Sequence, residues 1–350
     1  MAEMNLKRIL VFTACPGIGD MIARLPAIEA LKHAFPSAHM AIVIRDKPVL
    51  HEITKDLPYI DEIIIQNRPY KKLALWQMWR FGWMLRKRQF DAVLIFGRSK
   101  FREPFLAYFS GAKIRIGYET KKGIGRSLLT HVITARPDDH EIENIFKVIA
   151  PLGIQKPKNI QIHFPVQKAA DSQMESFLKN HHLKPRRFVV LLTCANYSGR
   201  RWPKKRFSEI IDYLQQEFGL QSILVGSQQD RLYITQIIEG AHSNAINLAG
   251  QTTLSQLAAL LKKCALFIGV DSGPMHLAAA LDVPIIALFG PSHFKRWAPW
   301  QNHADIRHQI ITKNLDCSPC SEKCIHATHI CMEQIELKDV TTRIDAYLGK

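Results

Sequence analysis

The stretch ALFIGVDSGPMHLAAALDVPIIALFGP, residues 265–291, decides how the chain is read. Two apolar runs, Ala265 to Val270 and Ile285 to Phe289, enclose a tight turn at Asp271 to Pro274 and a short alanine-rich helix. Ser272 is a small polar residue at a helix start, Gly273 lets backbone come close, and Pro274 is pre-set for the first helical turn. Strand, turn, helix and buried strand form one βαβ unit, whose parallel strands read as continuous apolar runs. Such a turn aims N–H groups and a positive dipole end outward, which suits a phosphate. On this stretch alone, an ordinary strand-to-helix connection fits equally well.

The 350 residues exceed one typical core, so two domains are expected, and the 47% hydrophobic content can fill both. No run of 18 or more apolar residues occurs, so nothing in the sequence reads as a bilayer span. Lys7 and Arg8 before Ile9 to Phe12, with Thr13-Ala14-Cys15 beyond, imitate an export signal. The apolar core is too short for one and a Gly-rich turn follows at once, so the segment reads as a first β-strand and the protein as cytoplasmic. With 47 Lys plus Arg against 31 Asp plus Glu, the net charge of +16 predicts attraction to polyanions: nucleic acid, anionic lipid or phosphorylated sugars. Seven cysteines, four of them between Cys317 and Cys331, argue against a secreted disulfide scaffold. Cys15, Cys194 and Cys264 lie in or beside apolar runs and read as core thiols.

Outward from the opening stretch, the same alternation recurs. Strands are expected at Arg8 to Ala14, Met40 to Ile44, Glu62 to Ile65, Ala92 to Phe96 and Ile114 to Gly117, with a helix from Met21 to Ala34. After a proline-punctuated junction between Pro137 and Pro185, a second series runs through Phe188 to Thr193, Ser222 to Val225, Ala245 to Leu248, Leu266 to Val270 and Ile285 to Phe289. Helices should start near Lys205, Asp230, Thr253 and Pro274, and Leu337 to Leu348 should close the chain. The expected fold class is α/β, with two Rossmann-like domains at 1–165 and 166–350 and ligands at the strand C-termini.

Several constellations could carry chemistry. Pro16 to Asp20 is a two-glycine loop in which Ile22 replaces the third glycine of a dinucleotide fingerprint, so it is a poor signal for NAD. Asp20 is either a helix cap or a carboxylate facing a ligand. Arg200-Arg201-Trp202-Pro203-Lys204-Lys205-Arg206 holds five cations in seven residues, suited to a diphosphate or simply to solvent. No Asp-x-Asp pair occurs to clamp a nucleotide-bound Mg²⁺. Trp76, Trp79 and Trp83 stand at helical spacing beside Lys71, Lys72, Arg80, Arg86, Lys87 and Arg88; this is either a membrane headgroup surface or a core helix with a basic outer side. Arg98, Lys100, Arg102, Lys121, Lys122 and Arg126 extend that positive face. Cys317, Cys320, Cys324 and Cys331 could hold a structural Zn²⁺, with His326 and His329 as spare ligands, or pack as reduced thiols, or form a disulfide.

Taken together, these segments resemble the heptosyltransferases of glycosyltransferase family nine, which build the inner core of lipopolysaccharide. The resemblance rests chiefly on Asp271 to Ala279 with Pro284 and Leu288 to Pro291. It is joined by Gly19-Asp20 with Leu25-Pro26-Ala27, by Arg200-Arg201-Trp202-Pro203, and by the tail cysteines with Cys331-Met332. It implies a GT-B architecture, two Rossmann-like domains with parallel sheets facing across a cleft, the acceptor on the first and the sugar nucleotide on the second. It further implies inverting transfer from an ADP-heptose donor with no cofactor and no catalytic metal, and gives Asp20 the role of general base. A single displacement needs one base and a stabilised leaving group, not two carboxylates flanking a bond. Donor contacts would come from Thr193, Arg200, Arg201, Asp271, Ser272, Gly273, Pro274, Met275 and His276, and acceptor contacts from Gly19, Arg98, Arg102 and Arg126. In the ribose-binding segment, where the family commonly has an acidic residue, this chain offers Asp230. The partners implied are a nucleotide-sugar donor, a lipopolysaccharide-core or other glycolipid acceptor and an anionic membrane surface, at the inner face of the cytoplasmic membrane. Rival readings are a family member using a hexose or N-acetylhexosamine donor, a non-catalytic sugar-nucleotide binder, and a nucleic-acid-binding protein, the last opposed by the absence of any nucleic-acid signature.

Overall fold

The structure, a computed structural model, describes residues 5–66, 75–99, 101–119, 124–306, 308–320 and 323–349. Lys71, Lys72, Lys100, Lys121 and Lys122 lie outside the described residues. The chain divides into two compact units, Met1–Ile162 and His163–Lys350.

The first unit runs β1 (Arg8–Phe12), α1 (Ile18–Ile22), α2 (Leu25–Ala34), β2 (His39–Arg45), α3 (Pro48–Thr54), β3 (Glu62–Gln66), α4 (Leu75–Arg86), β4 (Ala92–Ile95), α5 (Arg102–Phe109), β5 (Ile114–Tyr118), β6 (His131–Ile133) and α6 (Glu141–Ile149). Its six strands are parallel, in the order β3-β2-β1-β4-β5-β6. The second unit runs α7 (Lys168–Asn180), β7 (Phe188–Leu192), α8 (Lys204–Phe218), β8 (Gln221–Val225), α9 (Arg231–Glu239), β9 (Ala245–Asn247), α10 (Leu254–Lys263), β10 (Leu266–Val270), α11 (Gly273–Ala280), β11 (Ile285–Phe289), α12 (Phe294–Trp297), β12 (Gln309–Thr312), α13 (Ile330–Glu333) and α14 (Leu337–Leu348). Its sheet has the order β12-β11-β10-β7-β8-β9, again all parallel. Both sheets therefore reverse direction beside their first strand, between β1 and β4 and between β7 and β10. Open α/β sheets bind ligands in the crevice at such a reversal.

Burial explains the apolar runs. Every residue of β7, β10 and β11 is buried, as a strand covered on both faces by helices requires. Polar start signals then set the helices between them. Thr253 accepts from the Gln256 N–H while Gln256 reaches back to Thr253, a reciprocal cap that starts α10.

Two expectations change. The helix expected from Met21 to Ala34 is two helices, because Pro26 fits a first turn and the chain breaks at Ala23 and Arg24. The outer strands β6 and β12 were not expected; at three and four residues, flanked by polar residues, they lack the apolar run that marks the central strands.

Trp202, expected as part of a phosphate-binding element, is a core residue. It is fully buried, meets Phe207 edge-on at 5.1 Å, and its indole N–H donates to the Ile335 carbonyl at 2.8 Å. Arg206 donates to the Glu333 and Ile335 carbonyls. The loop before α8 is thereby tied to the tail segment before α14. Trp202→Ala is expected to cost about 3–5 kcal/mol, the range for removing a buried aromatic. Trp202→Phe should cost visibly less. Chemical denaturation measures both, and a loss under about 1 kcal/mol for the alanine variant would remove Trp202 from the anchoring role.

Candidate active site

In the second unit the reversal brings together the loop after β7 and the turn after β10, the two segments singled out by sequence. Asp271 is buried at 5% exposure. A carboxylate so placed needs matching charge or hydrogen bonds. Arg200 supplies both, its Nη1 lying 3.3 Å from the Asp271 carbonyl and 3.4 Å from Oδ2. His276, buried one turn into α11, brings Nε2 to 3.9 Å from the other carboxylate oxygen, and its ring meets Trp297 edge-on at 6.0 Å.

Ser272 is the extended N-cap residue of α11, with Gly273 and Pro274 in the first turn. Its side chain makes no capping bond, so the polar end of the helix is set by backbone groups. Met275 is fully buried and secures the helix to the core, and Thr193 is likewise buried, its hydroxyl 3.5 Å from the Cys194 sulfur.

The five cations of the 200–206 loop do not act as a block. Arg206 is committed to tail carbonyls, Lys204 to Gln236 and the Tyr233 ring, and Lys205 is an exposed partner of Glu209. Arg201 lies over Tyr233 at 4.7 Å with Nη2 at 3.8 Å from Asp230. Of the five, Arg200 is seen to reach the 271 turn. Asp230 itself accepts from the Ser227 N–H and hydroxyl at 2.9 and 2.6 Å, closing a reciprocal cap before α9.

In the first unit the reversal carries the loop after β1, with Gly19 and Asp20 on α1, and the loop after β4. The two loops touch closely. Ala14 has φ of 48°, and a Cβ on Gly97 would fall 2.4 Å from the Ala14 Cβ, so only glycine fits at 97. Asp20 is the third residue of α1, behind an N-cap at Gly17, and its side chain is 25% exposed. It is a first-turn carboxylate, not the capping residue.

Sequence reasoning missed Arg24. At 3% exposure its guanidinium donates to the Thr13 carbonyl at 2.6 Å, to the Asp20 carbonyl, and to the Phe96 carbonyl at 3.4 Å, with Nη1 3.8 Å from Asp20 Oδ1. One cation thus locks the β1 loop, α1 and the end of β4 together. Nothing in the pattern Ala-Arg-Leu distinguishes a buried arginine from a solvated one. Of the expected acceptor cations, Arg98 and Arg102 flank the loop after β4, while Arg126 sits after β5 and pairs with Glu119 at 2.8 Å. Glu103, buried beside Arg102, has its carboxyl pushed up by burial.

Cys15, Cys194 and Cys264 are buried thiols, not activated thiolates. Burial pushes Cys15 up against the opposing pull of Arg24, Cys194 up to about 11 and Cys264 up to about 12. Cys317, Cys320, Cys324 and Cys331 line one small cavity with His326, His329 and Pro291. Among the described residues no group of three His, Cys, Asp or Glu is placed to hold a metal ion, and the four thiols are free, so of the three readings of this cluster the structure shows reduced thiols. Cys331 is instead drawn under Gly290 on α13, where burial raises its thiol.

The geometry has counterparts in known proteins. The family described as glycosyltransferase family 9 (heptosyltransferase) matches residues 78–329, which include the Arg200 loop and the 271 turn but not Asp20. Lipopolysaccharide heptosyltransferase 3 of Escherichia coli K12 is 29% identical over 296 residues, covering 81% of this chain and 82% of that protein. The glycosyl transferase family 9 structure from Veillonella parvula DSM 2008 superposes with a TM-score of 0.84 at 23% identity, over 98% of this chain and 97% of that one. E. coli heptosyltransferase WaaC with ADP-2-deoxy-2-fluoro heptose gives 0.66 at 19% identity, over 97% and 99%. The expected fold class, α/β of GT-B type with two Rossmann-like units, is the one these neighbours share. The chain belongs to glycosyltransferase family 9, the heptosyltransferase family, and is a glycosyltransferase.

Proposed function

We propose that this chain transfers a heptose from ADP-heptose to the inner core of lipopolysaccharide, with inversion and without a catalytic metal, Asp20 being the general base. The observation that carries the donor half is the cluster at the second reversal, where Arg200, held by buried Asp271, stands beside the start of α11. The names of the relatives support the substrates. One acts on lipopolysaccharide as a heptosyltransferase, and a structural neighbour was solved with an ADP-heptose analogue.

In this reading the backbone from Ser272 to Met275 and the guanidiniums of Arg200 and Arg201 take up the charge of the departing diphosphate, the task a metal would otherwise perform. The acceptor hydroxyl gives its proton to Asp20 as its oxygen bonds to the anomeric carbon, and the bond from that carbon to the ADP oxygen breaks. For this, the hydroxyl must come within about 3 Å of the carboxylate. Arg24 fixes the backbone carrying Asp20, so the base is set before the acceptor arrives. Arg98 and Arg102 would meet acidic groups of the acceptor. Since that acceptor is lipid-linked, the enzyme would work at the anionic inner face of the cytoplasmic membrane.

Asp20→Ala should keep ADP binding by calorimetry and lose transfer by at least about 100-fold. Near-normal turnover would exclude Asp20 as the base. Arg200→Ala should weaken ADP binding by roughly 10-fold or more, the worth of a charge-assisted contact. Incubation with a panel of sugar nucleotides and truncated core acceptors, read by mass, decides the sugar; a gain of a hexose or N-acetylhexosamine in place of a heptose would replace the donor.

A further inference from the structure

Helix α4 has two unlike faces. Met78, Gly82 and Leu85 turn inward; Met78 is 4% and Leu85 0% exposed, and a Cβ on Gly82 would come 2.7 Å from the Phe109 ring, so α4 lies tightly against α5. Trp76, Trp79 and Trp83 are 61%, 55% and 45% exposed. With Arg80, Arg86 and Lys87, also exposed, they fall within a sector of about 120° at 3.6 residues per turn. That sector is centred about 130° from the packed face, and none of the three tryptophans belongs to the core cluster that takes Leu85.

The outer face is ordered by its own contacts. The Trp79 and Trp83 rings stack at 6.5 Å with 14° between planes, Trp79 also meets Phe109 at 6.2 Å, and the Lys87 ammonium lies 3.7 Å over Trp83. No Asp or Glu occurs between Glu62 and Asp91. Arg88 pairs with Glu62 at 2.8 Å and lies off this face, while Arg86, at its edge, donates to the Phe109 carbonyl at 3.4 Å.

We propose that the outer face of α4, with Trp76, Trp79, Arg80, Trp83, Arg86 and Lys87, is a docking surface for an anionic lipid bilayer. Indole rings have an apolar body and an N–H that suit the depth of lipid headgroups, and neighbouring cations are drawn to anionic phosphates. A second copy of this chain would set the same cations against each other, and the face carries no carboxylate to relieve that repulsion. Among the described residues no helix is long and apolar enough to cross a membrane, so this contact would be peripheral. The proposal deepens the lipid-linked acceptor reading and rests on it for the choice of a membrane, while the face itself is independent of the transfer residues.

The test uses the full chain and vesicles without acceptor. The intact protein should sediment with phosphatidylglycerol–phosphatidylethanolamine vesicles and far less with phosphatidylcholine vesicles. Its tryptophan fluorescence should shift to the blue and be quenched by brominated lipid. A Trp76→Ser, Trp79→Ser, Trp83→Ser variant, and separately an Arg80→Glu, Lys87→Glu variant, should each lose at least about tenfold in partitioning. Both should keep their far-ultraviolet circular dichroism and their transfer to a soluble, delipidated acceptor. The proposal is overturned if the intact protein ignores anionic vesicles, if both variants bind as well as the parent, or if the tryptophan change abolishes a dimer or retention on single-stranded DNA while vesicle binding persists. Failure of the intact protein to transfer heptose, with its vesicle binding intact, would instead count against the proposed reaction and leave the docking surface standing.

Discussion

The second unit depends on how one carboxylate is kept nearly out of water. Asp271 ends β10 in a position where solvent reaches it poorly, and an unpaired charge there would be costly. Arg200 crosses the reversal to meet both its carbonyl and its carboxylate, and His276 approaches from within α11. The pairing fixes more than charge. It joins the loop after the first strand to the turn after the fourth, which fixes where the guanidinium stands relative to the start of α11. Trp202 holds the same loop from below, through Ile335.

The first unit reaches the same end with the charges exchanged. There the buried member is the cation, Arg24, and the more exposed member is Asp20. Arg24 also joins a loop after the first strand to the end of the fourth, through Thr13 and Phe96. In each unit one buried ion thus braces the two loops that the strand reversal separates. The exposed partner differs: a carboxylate suited to accept a proton in one, a guanidinium suited to meet an anion in the other. On the proposed reading, these are the two needs of a single displacement.

Elements that bury whole apolar runs were legible in the sequence. β10, α11 and β11 fall where the strand-turn-helix-strand pattern puts them, as does α14. The nearness of Arg200 to the 271 turn was legible in part, because a helix start and nearby cations have a local signature. Elements fixed by distant partners were not. The inward turn of Arg24 at the break between α1 and α2 has no local signature, and the short strands β6 and β12 are defined by their neighbours, not by their own hydrophobicity. Cation count also misled. Residues 200–206 read as one basic cluster, yet Arg206 and Lys204 are spent on carbonyl, amide and ring partners that only the fold brings near.

That reduction bears on how a diphosphate would be handled. A loop with five unengaged cations would hold a departing nucleotide tightly, and tight binding that is equal in ground and transition states does not speed the reaction. Here Arg200 arrives already paired with Asp271, and Arg201 lies near Asp230, so part of each positive charge is offset before any ligand binds. On the proposed reading, the positive charge offered to a leaving group would be weaker than the count of five cations suggests. On that reading the carboxylate of Asp271 would temper the site, while its contacts with Arg200 and His276 shape the turn. The net charge of +16, which first suggested a general liking for polyanions, is thus split between arginines engaged inside the units and exposed cations such as those on α4.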